Sequence, residues 1–88
     1  MLVELFDESK IVKLENMKKG DVFFTEYGDY GNYVYVVFDS YEIDGSWVRT
    51  KGTQISRNGD VFDKEWVGNS LTLVGGDYYY DVIGKVIS

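Results

Sequence analysis

Runs of Val, Ile, Tyr, Phe, Trp and Thr alternate along the chain with groups of Gly, Asp and Asn at 28–32, 44–46, 58–60, 68–69 and 75–77. The glycine groups are turn formers, because glycine takes positive φ freely and Asn and Asp side chains hydrogen-bond the backbone of a turn. The runs between them suit half-buried, pleated strands. The pattern predicts an all-β chain.

Residues 22–27 and 33–39 flank the first glycine group as the two strands of a hairpin. In the second of these Val34, Val36 and Phe38 share one face and Tyr33, Tyr35 and Val37 the other, so both faces are apolar. Such a strand is either central and covered on both sides, or it presents its tyrosines to a partner. Residues 47–50 form a further strand with Val48 and Thr50 opposite Trp47 and Arg49. Residues 54–56 and 61–66 surround Arg57-Asn58-Gly59-Asp60, whose Asn-Gly pair is the strongest short hairpin signal in the chain. Phe62 and Trp66 then point inward, with Asp63 and Glu65 outward.

A short strand is expected at 71–73 and a long final one at 78–87, broken by Gly84. Residues 9–14 read as a first strand, and 1–8 as an edge strand or a loose arm. Residues 14–19 make one tight turn, too short for a helix without packing. The expected product is one domain spanning 1–88: a single small antiparallel barrel, SH3-like, of five to seven strands with at most one short helical turn.

Composition narrows the chemistry. The 88 residues, 44% of them apolar and 17% aromatic, can build the core of one small domain. The chain holds neither Cys nor His, which excludes disulfides, thiolate nucleophiles, metal ligation by those side chains and an imidazole base. A net charge of -6 disfavours nonspecific attachment to phosphate backbones or anionic membranes. The longest apolar stretch, 33–38, is six residues against the roughly 20 that a membrane span needs. Residues 1–7 carry two acids and no base, unlike an export signal, so a cytoplasmic location is expected.

The stretch Lys13-Leu14-Glu15-Asn16-Met17-Lys18-Lys19-Gly20-Asp21-Val22-Phe23, followed by Tyr33-Val34-Tyr35-Val36-Val37, has a plain physical logic. Gly20 lets the chain reverse, Asp21 can accept hydrogen bonds from amides in that turn, and Val22 with Phe24 starts the core face. The stretch resembles the opening of small phage-type accessory proteins, in which a strand, a Gly-Asp turn and a tyrosine-bearing strand begin an SH3-like barrel. The resemblance covers about the first half of the chain. It implies a fold, a viral or mobile-element setting and hence the host cytoplasm, and it carries no shared activity.

Charge is unevenly spread. Residues 20–48 hold six acids (Asp21, Glu26, Asp29, Asp39, Glu42, Asp44) and no base, leaving nine of each sign elsewhere. The same segment carries Tyr27, Tyr30, Tyr33, Tyr35 and Tyr41, whereas residues 49–57 contain Arg49, Lys51 and Arg57 without an acid. A two-sided molecule is expected, with an acidic, tyrosine-rich surface and a small basic strip. Carboxylates two apart on one strand face sit roughly 6 to 7 Å apart, a spacing that fits Glu42 with Asp44 and Asp63 with Glu65. Such a surface either imitates nucleic acid before a basic cleft or is a solvated face that keeps the domain soluble.

Tyrosine is favoured at binding hot spots because it buries a large area at low rotamer cost and keeps a polar handle. Three consecutive tyrosines cannot all face the core of one strand, so Tyr79, or the pair Tyr78 and Tyr80, must point outward. The expected partner-binding surface is Asp29, Tyr30, Tyr33, Tyr35, Tyr41, Glu42 and Asp44, with Tyr78, Tyr79 and Tyr80 as a second aromatic patch.

No catalytic residue is expected: the serines have no histidine to activate them. Asn58, Asp60, Asp63 and Glu65 offer oxygen ligands, but without EF-hand spacing, and an Asn-Gly turn explains the first two more simply. No metal and no cofactor are expected. The function expected is that of a small acidic, non-enzymatic binding protein, a phage-type accessory factor that engages a host protein with a basic surface and modulates or inhibits it. A nucleic-acid-handling or defence protein would suit a DNA-mimic-like face. The alternatives are a self-assembling structural or virion component, homodimerisation included, and, more remotely, a single-strand nucleic-acid-binding barrel. Direct nucleic-acid binding and membrane association are not expected.

Overall fold

The structure is a computed structural model that describes residues 2–25, 34–45, 47–56, 60–71 and 79–88. Six strands carry the fold: β1 (Val3–Lys13), β2 (Asp21–Thr25), β3 (Val34–Asp44), β4 (Trp47–Ile55), β5 (Val61–Leu71) and β6 (Tyr79–Val86). They form one antiparallel sheet in the order β1-β6-β2-β3-β4-β5. The all-β class and the strand number match the sequence pattern. β1 and β5 are the two ends of the sheet, and no ladder joins them among the described residues.

The tight turn expected after β1 is a single turn of 3-10 helix, Leu14–Asn16, in which the Met17 amide donates to the Leu14 carbonyl at 3.1 Å. Its purpose is visible in burial, since Leu14 and Met17 both enter the core. Gly20 then reverses the chain at a φ of 98°. The Asp21 carboxylate accepts from the Lys18 amide at 2.9 Å, and the Asp21 amide donates to the Lys18 carbonyl at 2.9 Å. The roles read for Gly20 and Asp21 therefore hold.

The face assignment of β2 does not. Phe23, rather than Val22 and Phe24, belongs to the main core, with Leu14, Met17, Val34, Val36, Phe38, Val48, Trp66 and Val82. Val22 lies on the opposite face, in a second cluster with Val37 and Ile55 that Val3, Tyr35, Ile83 and Val86 flank. Both sides of the sheet are thus covered around β2 and β3. The doubly apolar pattern of β3 is that of a central strand between β2 and β4.

Other boundaries move for packing reasons. Residues 47–50 and 54–56 belong to one continuous strand, β4, that runs through Gly52, where a Cβ would strike Val36 and the Val37 carbonyl. Gly68-Asn69 is no turn but the interior of β5, paired with Thr50 and Arg49. A Cβ on Gly68 would collide with the indole of Trp66, so the glycine leaves room for that ring. Leu71 ends β5, and the rest of the expected strand at 71–73 lies outside the described residues. β1 is one edge strand rather than a strand preceded by an arm, with an irregular register between Leu5 and Lys10. Gly84 does not break β6: the strand runs through it, shifting register against both neighbours. A Cβ there would strike the Glu4 carbonyl.

The Asn-Gly signal correctly marks β4 and β5 as neighbours. The predicted turn at 57–59 lies outside the described residues; on either side of it the Ser56 amide donates to the Asp60 carbonyl at 2.8 Å and the Asp60 amide to Ser56 Oγ at 3.0 Å.

Candidate protein-binding surface

β3 and β4 are long because their hairpin outruns the neighbouring strand. β2 pairs with Val34–Val37 only, whereas β3 continues along β4 to the pair Asp44 and Trp47. Gly45 follows Asp44 at a φ of 60°, the positive value that short hairpin loops require. The distal half of β3 and β4, with Ser40 to Asp44 matched to Lys51 to Trp47, therefore forms an arm that extends past β2, while β5 stays beside β4 as far as the pair Trp47 and Leu71.

A bulge sets the faces of this arm. Phe38 pairs with Gly52 and Ser40 with Lys51, so Asp39 is an extra residue in β3. Strand alternation restarts one residue out of phase. Tyr35 and Val37 share a face with Ser40 and Glu42, whereas Val36 and Phe38 share the core-facing side with Tyr41 and Ile43. The bulge is anchored at its flanks: the Gly20 amide donates to the Phe38 carbonyl at 3.0 Å, and Lys19 Nζ lies 3.3 Å from Asp39 Oδ1.

The apolar residues of the arm outnumber what its core can cover. Val48 is buried, yet its register partner Ile43 is 66% exposed. Tyr41 is 39% exposed and Trp47, on the other face, 50%. Between them Arg49 Nη1 contacts Glu42 Oε1 at 3.2 Å, an exposed ion pair worth at most about 1 kcal/mol. The arm thus offers large apolar side chains on both faces around a charged pair.

The residues predicted for the partner surface separate. Tyr41 and Glu42 reach the arm on opposite faces, and Asp44 occupies its last register position. Tyr35 is half-buried in the second cluster, its ring 5.1 Å from that of Phe24. Asp29, Tyr30 and Tyr33 lie outside the described residues, as does Tyr78. In the second patch Tyr79 is exposed and pairs with Lys13 along β1, whereas Tyr80 packs its ring 4.5 Å from Phe23 in the core. The alternation argued for consecutive tyrosines holds for this pair.

Charge is also arranged differently from the expectation. Arg49 and Lys51 of the basic strip lie directly across from Glu42 and Ser40, because β3 and β4 are neighbours. Acid and base interleave here on one face of the hairpin. Ile43 and Trp47 were not among the predicted site residues. The signal for Trp47 was present, since Val48 and Thr50 facing inward put Trp47 and Arg49 outward. Ile43 carried none, because its exposure depends on the bulge at Asp39.

Among the described residues no group of three or more acidic side chains converges to hold a metal ion, and no helix is long and apolar enough to cross a membrane. No family model, curated protein or solved structure matches the chain.

Proposed function

We propose that the chain is a non-enzymatic binding protein that attaches to another protein through the β3–β4 arm. Tyr41, Ile43 and Trp47 are the anchors, and the net charge of -6 steers the domain toward a basic surface. The observation that carries this reading is the exposure of those three side chains on a hairpin that projects past its neighbour β2. Large apolar side chains gathered and exposed at one end of the sheet are the composition of an interface core. The resemblance of the first half of the chain to phage-type accessory proteins fits the same role: a factor acting in a host cytoplasm that modulates or inhibits a host protein. A nucleic-acid-handling protein, a nucleic-acid-binding defence protein included, carries a basic surface and is the class of partner that the acidic excess favours. Nucleic acid itself is a poor ligand for this domain, given its overall negative charge.

Capture of partners from nuclease-treated bacterial lysate on the immobilised chain, eluted in steps of rising salt, tests the reading. It predicts a stoichiometric protein released at moderate salt, as expected for a steered, charge-complementary contact. Recovery of the bait alone would overturn it.

A further inference from the structure

The two edges of the sheet differ in charge. β1 carries Glu4, Asp7, Glu8, Lys10 and Lys13 along its whole length, a distribution that blocks the addition of another strand. β5 carries Asp63, Lys64 and Glu65 in its first half, and from Trp66 to Leu71 it has no charge. Among the described residues no strand pairs with the far side of β5. The chain also lacks proline, which would blunt such an edge.

We propose that the second half of β5 is a dimerisation edge, where two copies of this chain pair antiparallel about a twofold axis at Val67. This goes beyond the arm reading and uses a different strand. The charges choose the register. An axis at position 64 would set Lys64 against its own copy and Asp63 against Glu65, like against like. An axis at Val67 sets Glu65 opposite position 69 and Trp66 opposite Gly68, and no two like charges meet.

Two further features favour a second copy as the occupant. Val67 is 45% exposed on β5, and on the axis each Val67 covers the other as a β-branched cross-strand pair. Position 69, which Glu65 of the other copy would face, is flanked in the next strand by Arg49. That acid thereby approaches the basic side of β4, and the contact is complementary twice over by symmetry. Pairing of this kind closes on itself and leaves only the charged β1 edges outermost, so assembly stops at two.

Sedimentation equilibrium on the intact chain across the micromolar range tests the proposal, alongside Val67→Lys, Val67→Cys and Val61→Cys. The wild type is expected to dimerise, and Val67→Lys, which sets two ammonium groups together at the axis, to weaken association at least about tenfold. The chain has no cysteine of its own, so Val67→Cys should give a disulfide-linked dimer on oxidation. Val61→Cys, exposed on the same strand but six positions from the axis, should stay monomeric on a denaturing gel. A wild type that remains monomeric at a hundred micromolar, unaltered association of Val67→Lys, or equal cross-linking at 61 and 67 would each overturn the proposal.

Discussion

The Tyr80 hydroxyl donates to Thr50 Oγ1 across 3.1 Å, linking β6 to β4 although β2 and β3 lie between them in the sheet. A contact between strands that are not ladder neighbours requires the sheet to curl over its own core. Thr50 is the buried polar residue of that core, 1% exposed, and Tyr80 satisfies it. The ring that delivers the hydroxyl rests on Phe23, which also meets Trp66 edge to face at 5.4 Å.

Removing the hydroxyl should therefore loosen the curl. Tyr80→Phe leaves Thr50 Oγ1 buried without this donor and is expected to lower stability by about 1 to 2 kcal/mol. Urea unfolding of Tyr80→Phe, Thr50→Val and the double variant should show coupling, the double variant losing less than the sum of the singles. Strict additivity would mean that the bond contributes nothing.

Glycines in this sheet do different work, and substitution should separate them. An alanine Cβ at Gly52 would lie 2.5 Å from the Val37 carbonyl oxygen and from Val36 Cγ1, where neither can yield cheaply. Gly45 has open space around it, and only its φ of 60° resists a side chain. Gly45→Ala is expected to cost about 1 to 2 kcal/mol through the left-handed backbone, and Gly52→Ala clearly more, by overpacking. Thermal melts of the two variants check the order.

The two tryptophans report opposite environments. Trp66 is 8% exposed in the core and Trp47 is 50% exposed on the arm. Acrylamide should quench the fluorescence of a Trp66→Phe variant strongly and that of a Trp47→Phe variant weakly. The reverse order would place the arm's aromatic inside.

The architecture was legible in the sequence where local chemistry decides it. Gly20-Asp21 specifies its own turn, and β4 and β5 are neighbours as the Asn-Gly signal between them implied. Val34 to Phe38 announced a strand with two apolar faces, and only the packing shows that both are covered. Local chemistry failed where a glycine answers to packing: Gly52 and Gly68 look like breaks but are strand interiors, the first set against Val36 and the Val37 carbonyl, the second against the Trp66 ring. The bulge at Asp39 has no sequence signature either, and it decides which side Tyr41, Glu42 and Ile43 face. Of the surface proposed above, Tyr41 and Glu42 were readable in the sequence and Ile43 was not, and Tyr35 lies in a packed cluster.

Electrostatic steering makes a separate prediction. Glu42→Lys reverses a charge on the arm and breaks an exposed ion pair, so folding stability should change by less than about 1 kcal/mol. Association with the captured partner should slow and become less sensitive to salt, with dissociation little altered. Surface plasmon resonance at two salt concentrations resolves the two rates.

Parallel capture by the wild type, an Ile43→Asp and Trp47→Ala double variant, and Tyr79→Ala tests the arm most directly. All three changes fall on exposed side chains, so each protein should fold. A partner retained by the wild type and by Tyr79→Ala, and weakened at least about 30-fold by the arm variant, is the predicted result, as for loss of hot-spot residues. Equal retention by the arm variant would contradict the assignment of the binding surface to β3 and β4.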